Sequence, residues 1–145
     1  MGNALLVFAT RAGETRKIAD LIAEGIRMAG AEARTAPVTE IKKESDLSGY
    51  DAVILGSATY HGDMMQGMKT LLFLAEKAGL EGKVGGSFGA FGWSGEAPDR
   101  IYDTMKNIFR MDMVKGPLRL KSSTLGGGTQ MAQEYGKEIG KKLTA

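Results

Sequence analysis

Ala4-Leu5-Leu6-Val7-Phe8-Ala9, followed at once by Thr10-Arg11-Ala12-Gly13-Glu14-Thr15, is the stretch that decides the fold. Six consecutive apolar residues are too few to span a membrane and too uniform for a half-exposed strand, so they read as a strand buried on both faces. The glycine-containing turn leads into a segment from about Glu14 to Met28 in which Ile18, Leu21, Ile22, Gly25 and Ile26 recur at helical spacing, with Arg16, Lys17, Asp20, Glu24 and Arg27 on the other face. Gly30 stops that helix. A central strand feeding an amphipathic helix is the start of a β-α-β unit.

Working outward, Ala31 to Val38 is a more polar, edge-like strand, and Ala52-Val53-Ile54-Leu55-Gly56 repeats the doubly buried signature. Met68 to Ala78 is helical in period, and Lys83 to Phe91 is a glycine-rich strand. Asp99 to Phe109 is helical with Ile101, Tyr102, Met105, Ile108 and Phe109 inward. A short strand around Val114 to Leu120 is interrupted by Gly116-Pro117, as suits an edge or a bulge, and a last helix runs from about Thr129 to Leu143. Five strands alternating with four or five helices imply an α/β fold, a parallel sheet with helices on both faces. Two five-stranded arrangements fit, a flavodoxin-like order and a truncated dinucleotide-binding one.

Composition narrows the functions. A chain of 145 residues, 43% of them apolar, suffices for one compact core, so residues 1–145 are expected to form one domain with one site. A net charge of +2, spread along the chain, argues against nucleic acid. The absence of cysteine excludes disulfides, thiolate catalysis and Cys-ligated metal, and fits a reducing compartment; cytoplasmic location is the expectation. A single histidine supports no metal site. No apolar run reaches membrane-spanning length. The nine methionines read mostly as core filling, with Met64, Met65 and Met68 also placed to rim a docking surface.

In open parallel sheets a ligand sits beyond the carboxyl ends of the strands, where strand order reverses. Three loops therefore matter. Thr10 to Thr15 offers amides, a helix N-terminus and two hydroxyls to one spot, a cradle for a terminal phosphate; it also reads as an ordinary capped turn. It lacks the Gly-Lys-Ser/Thr and G-x-G-x-x-G patterns of triphosphate and dinucleotide loops. Ser57-Ala58-Thr59-Tyr60-His61-Gly62-Asp63 combines hydroxyls, aromatic groups and a Gly-Asp peptide, as the edge of a flat heterocycle requires, or is a plain loop. Phe91-Gly92-Trp93-Ser94-Gly95 carries the chain's one tryptophan, which either packs inward or covers a ligand.

Thr10-Arg11-Ala12-Gly13-Glu14-Thr15 resembles the flavodoxin phosphate loop T-x-T/S-G-x-T, and Gly56-Ser57-Ala58-Thr59-Tyr60 its second loop. The resemblance spans the chain. Gly56 to Gly62 with Phe91 to Ala97 is similar, more narrowly, to the flavodoxin module of flavodiiron proteins, in which G-S-P-T-Y-x-G and G-W-S/G-G-E-A recur. The resemblance implies a three-layer sandwich, a five-stranded parallel sheet in the order 2-1-3-4-5, and bound FMN. It implies Thr10, Arg11, Ala12, Gly13, Glu14 and Thr15 around the phosphate. Ser57, Ala58, Thr59, Tyr60, His61, Gly62 and Asp63, with Phe91, Gly92, Trp93, Ser94 and Gly95, would hold the ring. Trp93 and Tyr60 are the expected aromatic contacts, and Gly62-Asp63 the peptide that turns toward flavin N5 on reduction. Ala12 stands where the family has a hydroxyl residue, a donor worth on the order of 1 kcal/mol.

The resulting expectation is an electron carrier working between a redox protein donor and acceptor, with no residue assigned a catalytic role. A slightly basic chain, where family members are acidic, points to an acidic partner. The alternative is an FMN-dependent oxidoreductase, such as a quinone reductase or a flavodoxin-type protoporphyrinogen oxidase, which the opening strand and loop also resemble. A receiver domain is disfavoured, because Thr10 and Ser57 hold the places where its acidic residues belong.

Overall fold

The computed structural model of the chain describes residues 2–10, 13–60, 63–90, 96–121 and 127–145. β1 (Asn3–Ala9) leads to α1 (Glu14–Met28), β2 (Glu32–Pro37) and, after two short 3₁₀ turns, β3 (Ala52–Ser57). A small hairpin of β4 (Thr59–Tyr60) and β5 (Asp63–Met64) precedes α2 (Gln66–Glu76). Then come β6 (Val84–Ala90), α3 (Glu96–Asn107), β7 (Asp112–Met113), β8 (Leu118–Leu120) and α4 (Gly128–Thr144).

The main sheet is parallel throughout, in the order β2-β1-β3-β6, with β7 and β8 both pairing β6 on its far side. The expected order 2-1-3-4-5 holds, with a sixth strand because the fifth position is divided. Strand period 2 explains how one apolar run serves two cores. Ala4, Leu6 and Phe8 of β1 join Ala52 and Ile54 under α1 and α4. Leu5, Val7 and Ala9 join Val53 and Leu55 under α2 and α3. All of these are fully or nearly fully buried.

The divided fifth strand corrects the expected strand of Val114 to Leu120. Gly85 pairs with Met113 and Phe88 with Leu118, so Gly86 and Ser87 face four residues, 114–117. The insert interrupts the ladder, and two tyrosines take its place. Tyr135 of α4 accepts from Ser87 N (3.1 Å) and donates to Gly116 O (2.9 Å). Tyr102 of α3, from the opposite face, donates to Val114 O (2.6 Å) and accepts from Gly116 N (3.2 Å). Each buried polar group so paired avoids a desolvation cost of about 1–3 kcal/mol. Burial pushes the Tyr135 hydroxyl pKa up from its ordinary value, so it stays a neutral donor.

Other boundaries moved by one to three residues. α3 begins at Glu96, because a proline within a helix's first turn gives up no intrahelical bond and Pro98 is therefore accommodated. It ends at Asn107, leaving Ile108 beyond the helix and 60% exposed, against the expectation that it faces inward. Met64 and Met68 are core residues, as the filling role requires. Among the described residues, no helix is long and apolar enough to cross a membrane.

Candidate functional site

β1, β3 and β6 run parallel, so their carboxyl ends, from which the three loops depart, share one edge of the sheet. Their described parts are bonded to one another. Ala58 N donates to Ala9 O (3.2 Å), extending the β1–β3 ladder into the first two loops. Ala97 N, in the first turn of α3, donates to Thr59 Oγ1 (3.2 Å), joining the second loop to the helix that follows the third. Gly89 of β6 lies so close to Ser57 O that a side chain there would collide with that carbonyl, and with Pro98 Cγ at 2.9 Å.

At the first loop, Gly13 is the N-cap of α1 with φ 85°, a left-handed conformation that glycine adopts without strain. Its amide donates to Thr10 Oγ1 (3.0 Å), and its carbonyl accepts from Lys17 N (3.2 Å). Among the described residues α1 has no side-chain cap, and its N-terminus directs its positive dipole end at this edge. Thr15, in the first turn, is fully buried, and its hydroxyl has no hydrogen-bond partner among the described residues. Among the described residues other than its chain neighbours, nothing lies within 4 Å of a Cβ placed on Gly13. Buried hydroxyls are ordinarily paired, so an orphan beside an uncapped helix start and a left-handed glycine fits an anion seat. Glu14 lies within 3.9 Å of Lys17 on the exposed side.

In the second loop the side chains of Ser57, Thr59 and Asp63 are engaged in holding the loop. Ser57 Oγ accepts from Met65 N (2.9 Å) and donates to Ala58 O (2.9 Å), closing the segment at its base. Thr59 Oγ1 is the acceptor for α3. Asp63 is ion-paired with Lys69 of α2 and, at 3.6 Å, with Arg100 of α3. The Lys69 ammonium, and then the Met64 amide, hold its carboxyl below the usual carboxylate range.

Thr10, Gly13, Glu14, Thr15, Ser57, Ala58, Thr59 and Asp63 thus gather at one edge, with the backbone of Tyr60 among them. Arg11, Ala12, His61, Gly62, Phe91, Gly92, Trp93, Ser94 and Gly95 lie outside the described residues. Reading the sequence missed Lys69, Arg100 and Gly89. Only Gly89 left a signal, since a glycine inside a strand marks close approach of another backbone.

Comparison with known proteins places these features in company. A family model described as "Flavodoxin domain" matches residues 5–113. A putative diflavin flavoprotein of Nostoc sp. is 30% identical over 95% of this chain but only 25% of its own length. A flavodoxin of Aquifex aeolicus is 37% identical over 66% of this chain and 54% of its own. The chain spans about a quarter of the diflavin flavoproteins that it matches. Among solved structures, a flavodoxin from the domain Archaea superposes with a TM-score of 0.92 at 26% identity, covering 99% of both chains. The rubredoxin:oxygen oxidoreductase of Desulfovibrio gigas superposes with a TM-score of 0.90 over 99% of this chain and 36% of its own, at 22% identity, a likeness of fold.

Proposed function

This chain belongs to the flavodoxin family of FMN-binding electron-transfer proteins, and we propose that it holds FMN across the three loops and passes electrons between a redox protein donor and an acceptor. The observation that carries the site is the orphaned Thr15 hydroxyl beneath the left-handed Gly13 at the uncapped start of α1. A phosphate there would receive the Thr15 hydroxyl and the amides of the first turn, and would benefit from the helix dipole. When bound, FMN supplies a ring able to take up one or two electrons.

The remaining residues divide their work accordingly. Thr10 holds the loop through Gly13 N, so its hydroxyl shapes the cradle. Ser57 and Thr59 fasten the second loop, which leaves its backbone, with Tyr60, His61 and Gly62, to meet the ring. Phe91 to Gly95, with Trp93 foremost, are assigned to the ring by the resemblance of their sequence alone. A cysteine-free composition keeps the cytoplasm as the expected setting.

The test is reconstitution with FMN followed by stepwise anaerobic reduction, read by visible absorption. Tight binding with an accumulating half-reduced flavin supports carriage of single electrons. Tight binding with direct two-electron reduction, together with steady-state turnover of NAD(P)H and a quinone, replaces the carrier by an oxidoreductase. No retention of FMN at micromolar concentration sinks the site.

A further inference from the structure

The β4–β5 hairpin pairs Thr59 with Met64 and Tyr60 with Asp63, so only residues 61 and 62 connect the two strands. Two-residue connections of this kind call for glycine or asparagine, which Gly62 supplies. Its stem is fastened by neutral bonds at Ser57 and Thr59. The fastening nearest the connection is charged. The Asp63 carboxylate accepts from Met64 N (2.7 Å) and faces Lys69 Nζ on α2 and Arg100 Nη1 (3.6 Å) on α3. One anion thereby joins the hairpin to two helices that the sheet holds in place.

We propose that Lys69 and Arg100 are positioning residues which, by clamping Asp63 to α2 and α3, keep the hairpin stem fixed and set how tightly reduced FMN is held relative to oxidised FMN. This rests on the FMN reading of the site. A ring that gains electrons is favoured by a peptide held within reach and disfavoured by an uncompensated carboxylate. Without the clamp, Asp63 is both free to move and unbalanced.

The experiment has two arms, on Lys69→Met, Lys69→Arg, Arg100→Met, Asp63→Asn and the double variant Lys69→Met with Asp63→Asn. Hydrogen exchange of the FMN-free protein follows the amides of 59–64, and titration with oxidised and reduced FMN gives the ratio of the two dissociation constants. Lys69→Met is expected to speed exchange in the hairpin and to shift the ratio against reduced FMN by about 1.5- to 5-fold, the scale of a partly exposed ion pair. Arg100→Met, at the longer distance, shifts it less; Lys69→Arg restores both readouts. In the Asp63→Asn background, Lys69→Met adds little, because the partner it acts through is gone. Equal effects in both backgrounds, or unchanged exchange and ratio, overturn the clamp. Failure of the wild type to bind FMN overturns the FMN reading and the redox part with it, while exchange still decides whether Lys69 holds the hairpin.

Discussion

The two helical layers are built on different principles. Where α1 crosses α4, the backbones nearly touch: side chains at Gly25 and Gly136 would collide with Gln133 O and Ile22 O, and one at Gly140 would come within 2.6 Å of Ala29 Cβ. On the other face, α2 and α3 make no such close approach and flank a groove of about 250 Å³ lined by Met64, Leu72, Phe73 and Ile108, with Phe73 74% exposed. The first layer is locked by backbone contact and the second filled by adaptable side chains. Close-packed interiors resist even one added methyl, whereas unbranched methionines accommodate change. α1, which starts at Gly13, belongs to the locked layer, and the β4–β5 hairpin packs against α3 of the adaptable one, so a ligand touching both would be anchored by one layer and accommodated by the other.

Substitutions can break this contrast, the most damaging first. Gly136→Ala drives Cβ into Ile22 O and is expected to destabilise by about 3 kcal/mol or more in urea unfolding, since neither backbone can yield; a loss below 1 kcal/mol would mean that the layer is not locked. Tyr135→Phe, which strands Ser87 N and Gly116 O, is expected to cost about 2 kcal/mol in the same measurement. Thr15→Val should weaken FMN binding about tenfold in a fluorescence titration while leaving the FMN-free protein as stable or more so, because it removes an unsatisfied hydroxyl. Asp63 has a depressed folded-state pKa, so its contribution is present above the unfolded value of about 3.9 and is lost as pH falls through the folded one. For an ion pair with partly exposed cations this amounts to under about 1 kcal/mol, seen as a smaller acid-side loss of stability in Asp63→Asn. Phe73→Ser, on the adaptable layer, should stay within about 0.5 kcal/mol of wild type.

The parts legible in the sequence were those written in local pattern. Apolar runs at 4–9 and 52–55 announced doubly buried strands, and the 3.6-residue period of α1 announced its core face. Gly116-Pro117 marked the break in the fifth strand, and Gly13 marked the turn at which α1 begins. What escaped depends on partners distant in the chain. The tyrosine bonds across the 114–117 insert have no local signature, nor does the Asp63 pairing with Lys69 and Arg100. Ile108 was assigned inward because helical period was carried past the helix end, which period alone does not locate.

The α4 tyrosine that bonds into the break in the fifth strand bears on the order in which the molecule assembles. Ser87 N finds its partner 48 residues later, on the last helix, so β6 keeps an unmet amide until the end of the chain has arrived. Non-local contacts of this kind form late. Tyr135→Phe should then accelerate unfolding in a chevron measurement while leaving the folding rate nearly unchanged, and a slowed folding rate would place α4 in the nucleus instead. A ribosome-bound chain lacking α4 would present β6 with the Ser87 amide still waiting for its partner.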